Sequence, residues 1–94
     1  MTAHNYRSLS AISAEIRRNW AAINFAAEPY RLAMASLDTL QDSYGADSAR
    51  SIVLYFLCNA NSWRGDAAKR IKAELKAMLA GKPVPAAAKS VDFA

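Results

Sequence analysis

Apolar positions along the chain recur at helical rather than strand spacing. Leu9, Ile12, Ile16, Trp20 and Ile23 fall three or four apart, with Glu15, Arg17, Arg18 and Asn19 mostly off that stripe. The pattern predicts a first helix over residues 8–23, with Ser8 or Ser10 available to accept a hydrogen bond from the free amides of its first turn. Pro29 suits an initial helical position, where a missing N–H costs nothing. A second helix over 29–40 follows, with Tyr30, Ala33, Met34 and Leu37 on one face and Leu40 at its edge. Ser43-Tyr44-Gly45-Ala46 reads as a turn, and Asp47 reads as the cap of a third helix over 48–59. That third segment is apolar without a break from Ile52 to Cys58. A helix apolar on every side has to be surrounded, so it is expected at the centre. A buried strand is rejected because no second strand candidate is there to pair with it. Asn61 or Ser62 is expected to cap a fourth helix that ends near Ala80, with Trp63, Ala67, Ile71, Leu75 and Met78 on its apolar face. Gly81 and Pro83 stop it.

Four helices with short connections predict an all-α fold: a compact bundle around a central hydrophobic third helix. Residues 1–81 form the domain, and 82–94 form a flexible tail with little periodicity. Trp63 is expected in the core, and Phe93 has nothing in the sequence to fix it. The chain has 94 residues, enough for one core. Its 53% apolar content excludes a disordered class, and its many alanines with only three glycines and three prolines favour helix. The single cysteine, Cys58, excludes an intrachain disulfide. It is expected as a small buried hydrophobe in a reducing, cytoplasmic compartment. The first residues lack the apolar core of a secretion signal, and the stretch 51–62 falls short of the roughly 20 residues a membrane helix needs, so no membrane partner is expected.

Catalytic and metal chemistry find little to work with. His4 is the only histidine and stands fifty-four positions from Cys58. That leaves neither a metal-ligand cluster nor a nucleophile–base pair. Asp38, Asp42 and Asp47 flank one loop but do not follow a calcium-loop pattern, so solvated acids and a helix cap account for them. No glycine-rich phosphate loop is present. The expectation is a protein that is not an enzyme and carries no cofactor.

Charge changes this picture more than composition does. The chain is net +4, and residues 64–82 alone carry six basic and two acidic side chains, so the remainder is neutral. Lys69, Lys72 and Lys76 share a face of the fourth helix away from its apolar stripe. Arg70 lies to one side, within reach of Asp66 or Glu74. Arg64 sits beside Trp63 at the helix start, a pairing enriched in binding hot spots, although packing and a salt bridge would also explain it. The aromatics Tyr6, Phe25, Tyr30, Tyr44 and Tyr55 are scattered rather than arrayed for base stacking, and Tyr44, in a turn, is the one expected at the surface. The partner-binding candidates are therefore Arg64, Lys69, Lys72, Lys76 and Tyr44. A solvated face is the plain reading of the lysines. The functional one is contact with phosphates or with an acidic protein surface.

Within residues 51–75, Tyr55-Phe56-Leu57, then Asn59-Ala60, then Trp63-Arg64-Gly65 and the basic Lys69, Arg70 and Lys72 resemble small proteins of bacteriophages and conjugative or integrated elements. Pro29-Tyr30 and Tyr44-Gly45 fit the same pattern, so the resemblance covers roughly residues 8–80. It carries no functional residues with it. It implies a small non-enzymatic inhibitor of host defence, of the anti-CRISPR kind, binding a host protein complex such as a CRISPR effector, as monomer or homodimer. Many such inhibitors are acidic nucleic-acid mimics. A basic one would instead meet an acidic patch, or touch protein and nucleic acid together. The alternative is a small nucleic-acid-binding regulator, with the third and fourth helices loosely like a helix-turn-helix, though Asn and Gln are missing from the fourth.

Overall fold

A computed structural model describes residues 6–85 of the chain. Among these, four helices run in the order α1 (Leu9–Asn19), α2 (Glu28–Met34), α3 (Ala49–Cys58) and α4 (Asp66–Ala80). A two-stranded antiparallel hairpin, β1 (Ser43–Tyr44) with β2 (Asp47–Ser48), lies between α2 and α3. The protein is thus mostly helical but not purely all-α. His4, Phe93 and most of the expected tail (86–94) lie outside the described residues. No helix among the described residues is long and apolar enough to cross a membrane.

Ser8 caps α1 as its sequence suggests, its Oγ accepting from the Ala11 amide at 3.1 Å. Two further first-turn amides, of Leu9 and Ser10, donate to the carbonyls of Asp38 and Leu37 at 2.9 Å. Helix α2 ends at Met34, short of residue 40, and Leu37 and Leu40 reach the core from the segment beyond it. Asp42 closes this turn by accepting from the amides of Asp38 (2.8 Å) and Thr39 (3.1 Å).

Helix α1 ends at Asn19, not residue 23, because Trp20 leaves the helical conformation (φ −130°, ψ 74°). Its ring stacks on Trp63 with centroids 5.2 Å apart and planes 4° from parallel, and meets the edge of Phe56 at 6.3 Å. Both tryptophans are buried, so this aromatic group forms one end of the core. Trp63 does not belong to α4 as expected. It lies in the connection, tied by its amide to the Ala60 carbonyl at 3.0 Å. Gly65 then turns the chain at φ 108°, a conformation side chains resist, and α4 begins at Asp66 without a side-chain cap. Ser62 is a bridge rather than a cap, since the Asn24 side-chain amide donates to its hydroxyl and to the Asn59 carbonyl. At its other end α4 closes as expected. The Gly81 amide donates to Met78 and the Lys82 amide to Ala77, with Gly81 left-handed.

The hairpin corrects two expectations. Gly45 (φ 62°) and Ala46 make a two-residue loop tight enough for Ser43 to pair with Ser48 and Tyr44 with Asp47. Asp47 is therefore in a strand, and the cap of α3 is Ser48, whose Oγ accepts from the Ser51 amide at 3.1 Å.

The larger correction concerns α3. Ala49, Ile52, Val53 and Phe56 are buried, at i, i+3, i+4 and i+7. The opposite stripe, Ser51, Leu54, Tyr55 and Cys58, is covered only in part: Ser51 is half-buried, and the Tyr55 ring packs on Tyr30 with centroids 5.6 Å apart. Leu54 is 46% and Tyr55 50% exposed, and Cys58 is exposed, not buried. The helix is flanked and not surrounded, because α2, α4 and the strand before it cover only part of its surface.

Replacing Trp63 by Ala should cost about 3–5 kcal/mol by emptying the stacked pair. Chemical denaturation monitored through Trp20 fluorescence checks this. A loss under about 1 kcal/mol would place Trp63 at the periphery.

Candidate functional site

The acids of the chain decide which cations remain available to a partner. Glu15 on α1 and Glu74 on α4 are 7% and 3% exposed, so each must be compensated. Arg7 grips Glu74 with both nitrogens of its fork, Nε to Oε2 at 2.9 Å and Nη2 to Oε1 at 2.7 Å. The same Nη2 lies 2.8 Å from Glu15 Oε1, and Arg70 Nη2 donates to Glu15 Oε2 at 2.8 Å. Two arginines and two glutamates thus close a neutral cluster that fastens α1 and the segment before it onto α4. The fit is incomplete: Glu15 Oε1 and Arg70 Nη1 are buried without an aligned hydrogen bond. Burial pushes the Glu15 carboxyl up, but the hydrogen bonds from Arg70 and Arg7 outweigh it and hold the group below its ordinary value. The bond to Glu74 raises Arg7 against the opposing effect of burial.

A second ion pair lies within α2. Arg31, itself buried, donates Nε and Nη2 to the two oxygens of Glu28 at 2.7 and 2.6 Å. Its Nη1 reaches Ser13 on α1 at 3.3 Å. The Arg31 bond holds Glu28 below its ordinary value.

These pairs leave the outer face of α4 unmatched. Arg64, Lys69 and Lys76 are exposed and form no ion pair among the described residues. Lys72 is half-buried and its ammonium donates to the Trp63 carbonyl at 2.7 Å, so it partly serves the fold. Burial lowers Lys72, and so do the positive charges of Lys76 and Arg64, which places these three in one mutually repelling group. Arg70 does not pair with Asp66 or Glu74 as expected, because Glu15 takes it. Tyr44 is 48% exposed, but it stands on the hairpin and not within the lysine group. Among the described residues no cluster of three His, Cys, Asp or Glu could hold a metal.

Beside the lysine group runs an apolar groove that the sequence does not disclose. Leu54, Leu57 and Cys58 of α3 form one wall, Leu79 and Ala80 of α4 the other, and Lys76 lies in the lining. Its volume is about 500 Å³. A smaller hollow between α1 and α2, about 420 Å³, is lined by Arg17, Arg18 and Arg31 with Ser10 and Ser13. The arginine at its base is already spent on Glu28. No family model, curated protein or solved structure matches the chain.

Glu15→Ala should cost about 3 kcal/mol, since it strands Arg70 and removes one of the two partners of Arg7, whereas Lys69→Ala should stay within about 0.5 kcal/mol. Urea denaturation of both variants checks the contrast. Because Glu15 and Glu28 are lowered in the folded state, their stabilisation is complete above the unfolded value near 4.5 and is lost as pH falls through the folded values. The thermal midpoint should therefore hold from neutral pH to about pH 5 and drop below it, less steeply in Glu15→Gln. A midpoint that rises on acidification would contradict this assignment.

Proposed function

We propose that the protein is a non-catalytic binding module that acts stoichiometrically, meeting an acidic patch on a partner protein through Arg64, Lys69, Lys72 and Lys76. The observation that carries this reading is that Arg64, Lys69 and Lys76 stay exposed without an ion pair around Lys72, although Arg17 and Arg18 on α1 are exposed without one as well among the described residues. Arg7, Arg31 and Arg70 are neutralised by the chain's own glutamates. Arg64, Lys69 and Lys76 are not, and Lys72 already feels the repulsion of Lys76 and Arg64. A carboxylate-rich surface would relieve that repulsion, giving orientation and rate of encounter more than raw affinity. The resemblance to small phage and mobile-element proteins supplies the setting of the proposal: a host defence complex as target, in the bacterial cytoplasm. An unpaired surface cysteine is at home in such a reducing compartment.

The same cations also support the second reading, a nucleic-acid contact. Against it stands the lack of an aromatic platform on α4 and of Asn or Gln to read base edges.

Lys69→Glu with Lys76→Glu should weaken partner binding about tenfold or more while leaving the thermal midpoint within a few degrees. Expression of the wild-type chain should raise phage or plasmid survival in a defence-competent host, and the double variant should not. A salt titration on duplex and single-stranded DNA separates the two readings. Binding that falls by orders of magnitude between low and moderate salt favours nucleic acid, and no binding at low salt removes it.

A further inference from the structure

We propose that the groove between α3 and α4 receives an amphipathic helix from the partner, apolar on its inserted face and acidic along the edge that meets Lys76. The proposal rests on the protein-binding reading above and specifies the partner's chemistry. The walls are Leu54, Leu57 and Cys58 on one helix and Leu79 on the other. The depression is shallow and open, so it offers a surface for apolar side chains to lie across rather than an enclosed pocket. Leu54, Tyr55 and Cys58 leave a half-exposed, largely apolar stripe on α3, with Tyr55 packed in part on Tyr30 of α2, and such a face on a small protein marks a contact surface.

Charge selects among occupants. Lys76 is in the lining, and its group with Lys72 and Arg64 has no carboxylate of its own. A second copy of the chain would bring the same cations towards each other across a two-fold axis, so a homodimer through this face is opposed by repulsion. Nucleic acid suits the lysines but not the groove, whose lining has no aromatic ring to stack a base. An extended peptide would need a long free strand edge, and the hairpin offers two residues per strand. A helix laid between two helices packs its ridge into their groove, with anchors at i, i+3 or i+4, and i+7. Glutamates on one flank then sit over Lys76 and Lys72.

The test is a selection of displayed helical peptides, randomised at anchor and flank positions, against the full chain. Enriched peptides should share three apolar anchors at helical spacing and acidic residues on one flank. Their affinity should fall about tenfold or more in Leu54→Glu and several-fold in Lys76→Glu. It should stay unchanged in Leu32→Glu, which alters an exposed α2 residue outside the lining. Coupling a bulky maleimide to Cys58 in the folded wild-type chain gives an independent block, which should abolish binding even if Leu54→Glu folds poorly. Peptides indifferent to both the maleimide and Leu54→Glu would overturn the groove. If such peptides are acidic and depend on Lys69 and Lys76, the basic surface survives without the groove. If nothing is enriched and acidic peptides of any pattern fail to bind, both readings fall.

Discussion

Glu15 and Glu74 could not be buried as ions without Arg7 and Arg70 beside them, and that requirement sets how α4 lies on the domain. Each carboxylate would otherwise lose several kcal/mol of hydration. Meeting it uses one arginine ahead of α1 and one on α4, and it fastens α4 to α1. With Glu74 and Arg70 turned inward, Lys69 and Lys76 must face solvent, since successive helical positions are about 100° apart. Arg50 reinforces the far end, its Nη1 donating to the Leu79 carbonyl at 2.9 Å. Tied in this way, α4 lies beside α3 and not across its outer face. One constraint thus produces both the unmatched lysines and the half-exposed apolar stripe next to them.

The aromatic end of the core follows a different logic. Trp20 and Trp63 lie in connections, not inside helices, and their stack goes with departure from helical geometry in both segments. Gly65 supplies the backbone conformation that Trp63 forces on the next residues. The cluster of Asn24, Asn59 and Ser62 then ties the two connections together with side-chain hydrogen bonds in place of further apolar burial. Fold and surface are therefore stabilised by different chemistry at opposite ends of α4: stacking near its start, and a left-handed glycine with an arginine clamp at its close.

Much of the architecture was legible because helical periodicity is local. The stripes Leu9, Ile12, Ile16 and Ile71, Leu75, Met78 are buried as their spacing implies, and the outward turn of Lys69 and Lys76 follows from the same arithmetic. What stayed hidden was non-local or very short. The Arg7–Glu74 and Arg70–Glu15 contacts join residues 67 and 55 positions apart, so no sequence spacing signals them. Two-residue strands carry no alternation to detect. Trp63 kept helical register with Ala67 and Ile71, and only the φ of Gly65 shows that the helix begins later. For α3 the unbroken apolar run predicts burial on all sides, but three other helices, one of seven residues, cannot supply enough covering surface. That excess of apolar side chains over available cover is the most informative mismatch between sequence and fold.

The reactivity of Cys58 in the native protein tests this account most directly, because the thiol lies on the half-exposed stripe and in the groove wall. Alkylation by a small reagent in buffer should proceed within about tenfold of an unstructured cysteine peptide, without waiting for unfolding. A rate slower by orders of magnitude, rising only as denaturant opens the domain, would mean that α3 is enclosed after all and would remove the surface on which the functional reading stands.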